Sequence, residues 1–138
     1  MENEMIKLNT FDKEFYESLP EKEKIGMNEK GKFCTIIYKN QRAGVVGFIP
    51  LKTSKKEGFI QIILLKKFRG KGIVKEAEEM LAKKYKLKKL YATIDDDNII
   101  SKMAHEKIGY EKLPNGRLNE LKQRGFLKEY QSRFFKNY

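Results

Sequence analysis

The chain has 138 residues, 40% of them hydrophobic and 36% charged, which is enough apolar material for one compact core, a single domain over 1–138, inside a charge-rich surface. No apolar run approaches the roughly 18 residues of a membrane span, and the opening MENEMIKLNTF lacks a signal-peptide pattern. The net charge of +11 comes from 30 Lys+Arg against 19 Asp+Glu and suits a polyanionic partner: nucleic acid, an acidic protein surface or a phosphate-rich cofactor.

That charge is uneven, since residues 1–24 carry four basic and seven acidic side chains. Solvated lysine faces account for most of the remaining excess, so direct nucleic-acid binding is not favoured. The lone Cys34 has no internal disulfide partner, and within FCTIIY it reads as a small core hydrophobe. A cytoplasmic, metal-free protein is the expectation.

In chain order, Met5–Leu8 reads as a short first strand and Phe11–Leu19, closed by Pro20, as a short helix or turn. Phe33–Lys39 and Ala43–Pro50 flank the turn-prone Asn40-Gln41-Arg42 and fit an antiparallel hairpin. Phe59–Leu65 is apolar except for Gln61, as in a central strand buried on both faces. Ile73–Lys86 places Val74, Ala77, Met80, Leu81 and Tyr85 at helical spacing. Leu90–Ile94 is a further strand, stopped by Asp95–Asp97. Asn98 then suits the N-cap of a helix through Ile108, with Gly109 as its C-cap.

Tyr110–Leu113 reads as a strand and Pro114-Asn115-Gly116 as a turn. The final stretch reads as a short helix to Arg124, broken at Gly125, followed by a strand or aromatic tail. About 20 residues between two strands joined by a helix imply a parallel pair with a right-handed crossover. The fold class is α/β (α+β): a mixed, mostly antiparallel twisted sheet with helices on both faces.

Between the buried strand and the amphipathic helix lies Arg69-Gly70-Lys71-Gly72-Ile73. Gly70 and Gly72 let the backbone approach a ligand closely. The unpaired N–H groups of the first helical turn make an anion site, to which Arg69 and Lys71 add charge. The Gly-x-x-x-x-Gly-Lys-Ser/Thr pattern is missing, and Gly70-x-Gly72 is followed at the third position by Lys75, so neither a P-loop nor a dinucleotide fingerprint is present.

LLKKFRGKGIVKEAEEML resembles the acetyl-CoA motif of the GNAT acetyltransferase superfamily, Arg/Gln-x-x-Gly-x-Gly/Ala after a strand. Arg69 and Gly72 match it, and Val74 departs from its final Gly/Ala. NIISKMAHEKIGYEKL resembles the family's downstream motif through Asn98, Ser101, Lys107, Gly109 and Tyr110. The two blocks cover about residues 59–113. The resemblance implies a central splayed parallel strand pair and acetyl-CoA as co-substrate. It further implies that backbone groups of Leu64, Leu65 and Lys66 hold the pantetheine arm, that the amides from Arg69 through Gly70, Lys71, Gly72, Ile73 and Val74 hold the pyrophosphate, and that Asn98 and Ser101 lie at the cofactor.

The implied reaction is direct attack by a primary amine in a ternary complex. Deprotonating an alkylammonium of pKa ~10.4 near neutrality costs roughly 4–5 kcal/mol, whereas holding the reactants in register contributes about 7–11 kcal/mol. The family-implied oxyanion donor is the Leu65 N–H. The family often places a tyrosine general acid where this chain has His105, its one histidine. His105 shares a helical stripe with Asn98 and Ser101, opposite Ile100 and Met103. The residues leave it three roles: general acid, cofactor contact, or surface.

No general base stands out. Gln61 can hold a water but take no proton, Asp95–Asp97 suit a strand end and helix cap, Glu57 is a weak candidate, and Tyr91 and Thr93 either line the acceptor side of their strand or, the favoured reading, pack in the core. The acceptor is open among a small molecule, a peptide and a protein lysine, and the chain suits a monomer or a homodimer with no membrane partner. Two alternatives are a catalytically weak CoA-binding regulatory domain and an RNA- or ribosome-associated acetyltransferase.

Overall fold

A computed structural model describes residues 6–138, so Met5 of the expected first strand lies outside the described residues. Seven strands form one sheet in the order β1-β2-β3-β4-β5-β7-β6. They are β1 (Ile6–Thr10), β2 (Lys32–Tyr38), β3 (Gln41–Pro50), β4 (Glu57–Leu64), β5 (Lys89–Asp95), β6 (Glu111–Lys112) and β7 (Gln131–Asn137). The helices are α1 (Lys13–Ser18), α2 (Ile73–Tyr85), α3 (Ile99–Lys107) and α4 (Asn115–Gln123). Among the described residues no helix is long and apolar enough to cross a membrane.

Every strand pairing is antiparallel except β4 with β5. That parallel pair joins only Glu57 to Lys89, Gly58 to Leu90 and Phe59 to Tyr91. Beyond those residues β4 continues beside β3 as far as Leu64, and β5 continues beside β7 as far as Asp95. The expected mixed sheet with a splayed parallel pair is therefore present.

Alternation along the strands separates two apolar layers. Ile60, Leu64, Leu90, Ala92, Ile94 and Phe134 pack against Ile73, Ala77 and Leu81 of α2. On the opposite face, Val45 and Ile63 meet Phe15 and Leu19 of the α1 segment and Ile25 beyond it.

Four details depart from the sequence expectation. The β2–β3 turn lies at Lys39 and Asn40, both left-handed (φ 48° and 66°), while Gln41 and Arg42 already pair in the strand; two left-handed central residues match the twist of a tight hairpin. Strand β4 starts two residues early and is half-buried at Phe59, Gln61 and Ile62; at Gln61 and Ile62, beyond the last pairing with β5, the splay removes the neighbouring strand. Pro114 opens α4 rather than a turn, its carbonyl accepting the Leu118 N–H at 3.0 Å; proline's missing N–H costs nothing at a helix start. The C-terminal segment is a central strand, inserted between β5 and β6 with Phe134 fully buried.

Candidate active site

The splay leaves a cavity of about 240 Å³ that passes between β4 and β5. One side presents Ile60, Ile62, Ser101 and His105, and the other Gln61, Thr93, Lys24 and Ile25. Farther along β4, Ile63 to Lys67, Arg69 and the loop Leu19–Glu21 line a mainly apolar cavity of about 510 Å³. The Gly70–Gly72 turn follows immediately in the chain.

Which backbone groups face the slot follows from strand parity. The Leu65 N–H donates to Ala43 at 2.9 Å and the Leu51 N–H donates to Glu57 at 3.0 Å, so odd-numbered residues of β4 spend their polar groups on β3. Even-numbered residues point toward β5, where pairing has ended beyond Phe59. Ile62 and Leu64 therefore present backbone groups to the slot. The Leu65 N–H, expected as an available donor, is spent inside the sheet on Ala43, while strand parity turns the Leu64 N–H toward the slot.

The turn after β4 carries a set of unspent donors. Gly70 and Gly72 both adopt φ +78°, a conformation that a residue with a Cβ adopts only at a cost of about 1–2 kcal/mol. An added Cβ at either position meets nothing within 4 Å, so the space over the turn is open. The N–H groups of Gly70, Lys71, Gly72, Ile73, Val74 and Lys75 find no acceptor among the described residues, and the first closure of the helix is Glu76 N–H to Gly72 C=O. Arg69 differs from the expectation, because its N–H bonds the Lys66 carbonyl at 3.1 Å. Val74, the departure from the family pattern, packs its side chain against the core and leaves its N–H outward.

The Arg69 side chain does not project over the glycines. Its Nε and Nη2 both donate to the Leu64 carbonyl, at 3.2 and 3.0 Å, and Nη2 also meets Glu21 Oε1 at 2.6 Å. That ion pair ties the loop after α1 to the end of β4. Bonding to Arg69 and Lys24 holds the Glu21 carboxyl below its ordinary value. Gln61 serves the same loop, accepting the Gly26 N–H at 2.7 Å, so it braces the loop rather than standing free for a water.

Of the expected stripe on α3, Ser101 and His105 are half-buried and line the slot, while Asn98 is exposed. Asn98 caps it, accepting the Ser101 N–H at 3.1 Å, while Ile100 and Met103 on the opposite side are 84% and 64% exposed. The slot claims Ser101 and His105. His105 Nδ1 lies 2.8 Å from the Ser101 carbonyl. A carbonyl only accepts, so Nδ1 carries the proton and Nε2 of the neutral ring keeps its lone pair. Burial pushes His105 below the ordinary histidine value, with the Ser101 bond opposing, and the ring is neutral at pH 7. Its edge packs on Tyr110 at 5.2 Å between centroids.

Tyr110 in turn donates to Glu78 Oε1 at 2.7 Å. Glu78 is 1% exposed, and its Oε2 has no partner among the described residues. Burial raises its carboxyl to about 7, against opposing effects from Tyr110 and Lys136. The sequence offered no sign of this group, because Glu78 sits in a Glu-rich helix that reads as solvated.

The acidic run after β5 is structural. The Asp95 carbonyl accepts the Asn98 N–H at 3.0 Å, and Asp96 accepts from Ser132 at 2.5 Å. Glu57 accepts from the Tyr91 hydroxyl at 3.1 Å. Tyr91 and Thr93, expected in the core, instead line cavities on the α1 face.

An acetyltransferase (GNAT) domain model matches residues 9–111. The chain belongs to the GNAT acetyltransferase family. Solved structures of the same fold include the microcin C7 self-immunity acetyltransferase in complex with acetyl-CoA and AMP, at 26% identity and TM-score 0.60, covering 80% of this chain and 63% of that one. A Salmonella typhimurium acetyltransferase that modifies the N-terminal serine of ribosomal protein L7/L12 matches at 19% identity and TM-score 0.62, covering 80% and 65%. An acetyltransferase from Thermus thermophilus matches over the whole of both chains at 12% identity and TM-score 0.70. The chain thus spans just under two thirds of the first two relatives. No curated protein matches it in sequence.

Proposed function

We propose that this GNAT domain is an N-acetyltransferase that moves the acetyl group of acetyl-CoA to a primary amine in a ternary complex. The observation that carries the reading is the run of N–H groups from Gly70 to Lys75, unpaired among the described residues, in the turn between α2 and the strand that splays from β5. The fit to the cofactor rests on the same feature: several donors, two left-handed glycines and open space above them suit a diphosphate.

In this reading Gly70 to Val74 hold the pyrophosphate, with Lys66 and Lys71 supplying charge nearby. Ile62 and Leu64 offer backbone groups to the pantetheine arm. Asn98 and Ser101 border the cofactor side of α3. Acetyl-CoA supplies the thioester carbon. The Leu64 N–H is aimed into the slot where negative charge develops on the acyl oxygen. His105 Nε2, unprotonated and held in orientation by the Ser101 carbonyl, takes a proton from the incoming ammonium directly or through one water. The second proton, lost from nitrogen as the amide forms, goes to the departing CoA thiolate, so His105 acts as an acceptor rather than in any of the three roles left open by the sequence. Proton acceptance is what a neutral imidazole with Nδ1–H engaged can do.

Calorimetry with acetyl-CoA tests the assignment: the wild type binds, and Gly72→Ala binds about tenfold or more weakly, a loss of about 1.4 kcal/mol. The alanine must hold a left-handed backbone and puts its methyl into the phosphate space. Equal affinity in the two proteins removes the turn from the site, and no binding at millimolar acetyl-CoA removes the transferase reading.

A further inference from the structure

On the α1 face a second cavity of about 330 Å³ adjoins the slot, walled by Phe59, Tyr91, Phe135 and Leu121, with Arg117 and Arg133 at its polar side. The two spaces share Phe59. They are also bridged by Arg133, which lines the second cavity and donates its Nε to Thr93 Oγ1 in the slot at 2.9 Å.

Arg133 is half-buried, and no carboxylate among the described residues pairs with it. Its partners are Thr93, the Phe126 carbonyl at 3.3 Å from Nη2, and the face of Phe59 at 4.8 Å. Lys89 lies over Tyr91 and Phe135 at 5.7 and 5.2 Å. The carboxylates nearby are already engaged, Glu57 by the Tyr91 hydroxyl and Glu120 by Arg117. A partly desolvated cation that has only neutral partners is a standing invitation to an anion.

Resting on the transferase reading above, we infer that this cavity is the acceptor subsite and that the acceptor is a small amine carrying a carboxylate or phosphate on a flat apolar body. The anion meets Arg133, with Arg117, itself paired with Glu120, at the edge of the cavity, and the flat body lies among Phe59, Tyr91 and Phe135. Tyr91 and Thr93 are successive same-face residues of β5, so the cavity and the slot open one strand repeat, about 7 Å, apart along β5. An acceptor that reaches from one to the other is longer than an α-amino acid held by its own carboxylate, and Arg133, with no carboxylate partner among the described residues, disfavours a polyamine. The volume suits one ring-sized group rather than a folded protein surface.

Three amines of one shape test the inference: para-(aminomethyl)benzoate, para-(aminomethyl)phenylphosphonate and uncharged benzylamine, with spermidine and an acidic peptide as further arms. One of the two anionic amines exceeds benzylamine and spermidine in kcat/KM by about tenfold or more, and which one leads separates carboxylate from phosphate. Arg133→Gln abolishes the advantage through KM, Arg133→Lys restores part of it, and the exposed Arg117→Gln gives a smaller change of the same kind. Equal rates for anionic and neutral amines, or a superior acidic peptide, overturn the assignment. Phenylphosphonate binding, followed by NMR at millimolar concentration, gives a readout without turnover: wild type binds and Arg133→Gln does not. No phenylphosphonate binding by the wild type, with its acetyl-CoA affinity intact, overturns the subsite alone. Failure of acetyl-CoA to bind overturns the transferase reading and leaves the anion site to stand on the phenylphosphonate result.

Discussion

His105→Ala lowers kcat at neutral pH by about a hundredfold, within the range of a positioned proton acceptor, while acetyl-CoA affinity stays within a factor of about two. The sign of the pH dependence is the sharper test. Burial depresses His105 below 6.5, so the wild-type kcat falls as pH drops through a value below 6.5 and is level above it. The alanine variant lacks that limb. A general acid gives the opposite curve, with activity lost as pH rises through the same value. A rate profile of that second shape would return His105 to the donor role that its motif position suggested. His105→Gln keeps a polar side chain at the site without a titrating group, and is expected to behave as the alanine variant does.

Glu78 dominates the pH dependence of stability. Its folded-state value near 7 stands above the ordinary carboxylate value of 4.5, so the native state holds a proton that the unfolded chain has released. Stability from this group is fully present below 4.5 and is lost as pH rises to about 7, beyond which the loss is constant. The shift corresponds to about 3 kcal/mol. The groups facing Glu78 are Tyr110, bonded to Oε1, the more distant charge of Lys136, which lowers its value, and the neutral phenol of Tyr138, whose own value Glu78 raises.

Urea denaturation of the wild type and Glu78→Gln from pH 4.5 to 8 reads this directly. The difference between the two proteins shifts by about 3 kcal/mol in favour of the variant across that window, and a flat difference shows that Glu78 is already ionised in the folded protein. The group also lies one aromatic ring away from His105. Parallel kcat measurements on Glu78→Gln therefore separate a stability effect from one on the proton acceptor.

Local patterns in the chain carried most of the architecture. Unbroken apolar runs gave β2 to β4, the 3.6-residue period gave α2, and Asn98 marked the start of α3. Each depends on neighbours within a few residues, which a linear reading can see. The turn at Gly70 and Gly72 was legible for the same reason, since left-handed backbone demands glycine and the donors belong to consecutive residues. The position of His105 on its helix, together with Ser101, also follows from spacing alone.

What the linear reading misplaced depended on partners far away in the chain. Leu65 lost its free N–H to Ala43 across a strand register. Arg69 turned from the glycines to Glu21, 48 residues away. The tautomer of His105 depends on a carbonyl presented by helix geometry, and its lowered value on burial that composition does not reveal. Arg133 reached Thr93 across 40 residues, and only the insertion of β7 beside β5 made a cavity there.

By itself, then, the sequence determined most of the elements, the order that makes β4 and β5 parallel, and the glycine turn before α2, because all of these arise from short-range periodicity, capping and glycine conformation. Tertiary structure alone decided which N–H groups stay unspent, which ring nitrogen is basic, where a carboxyl is buried with one oxygen unpaired, and where a cation lacks a counter-charge. Hydrogen-bond satisfaction and desolvation are sums over every neighbour in space, and those neighbours are set only when the strands have found their register.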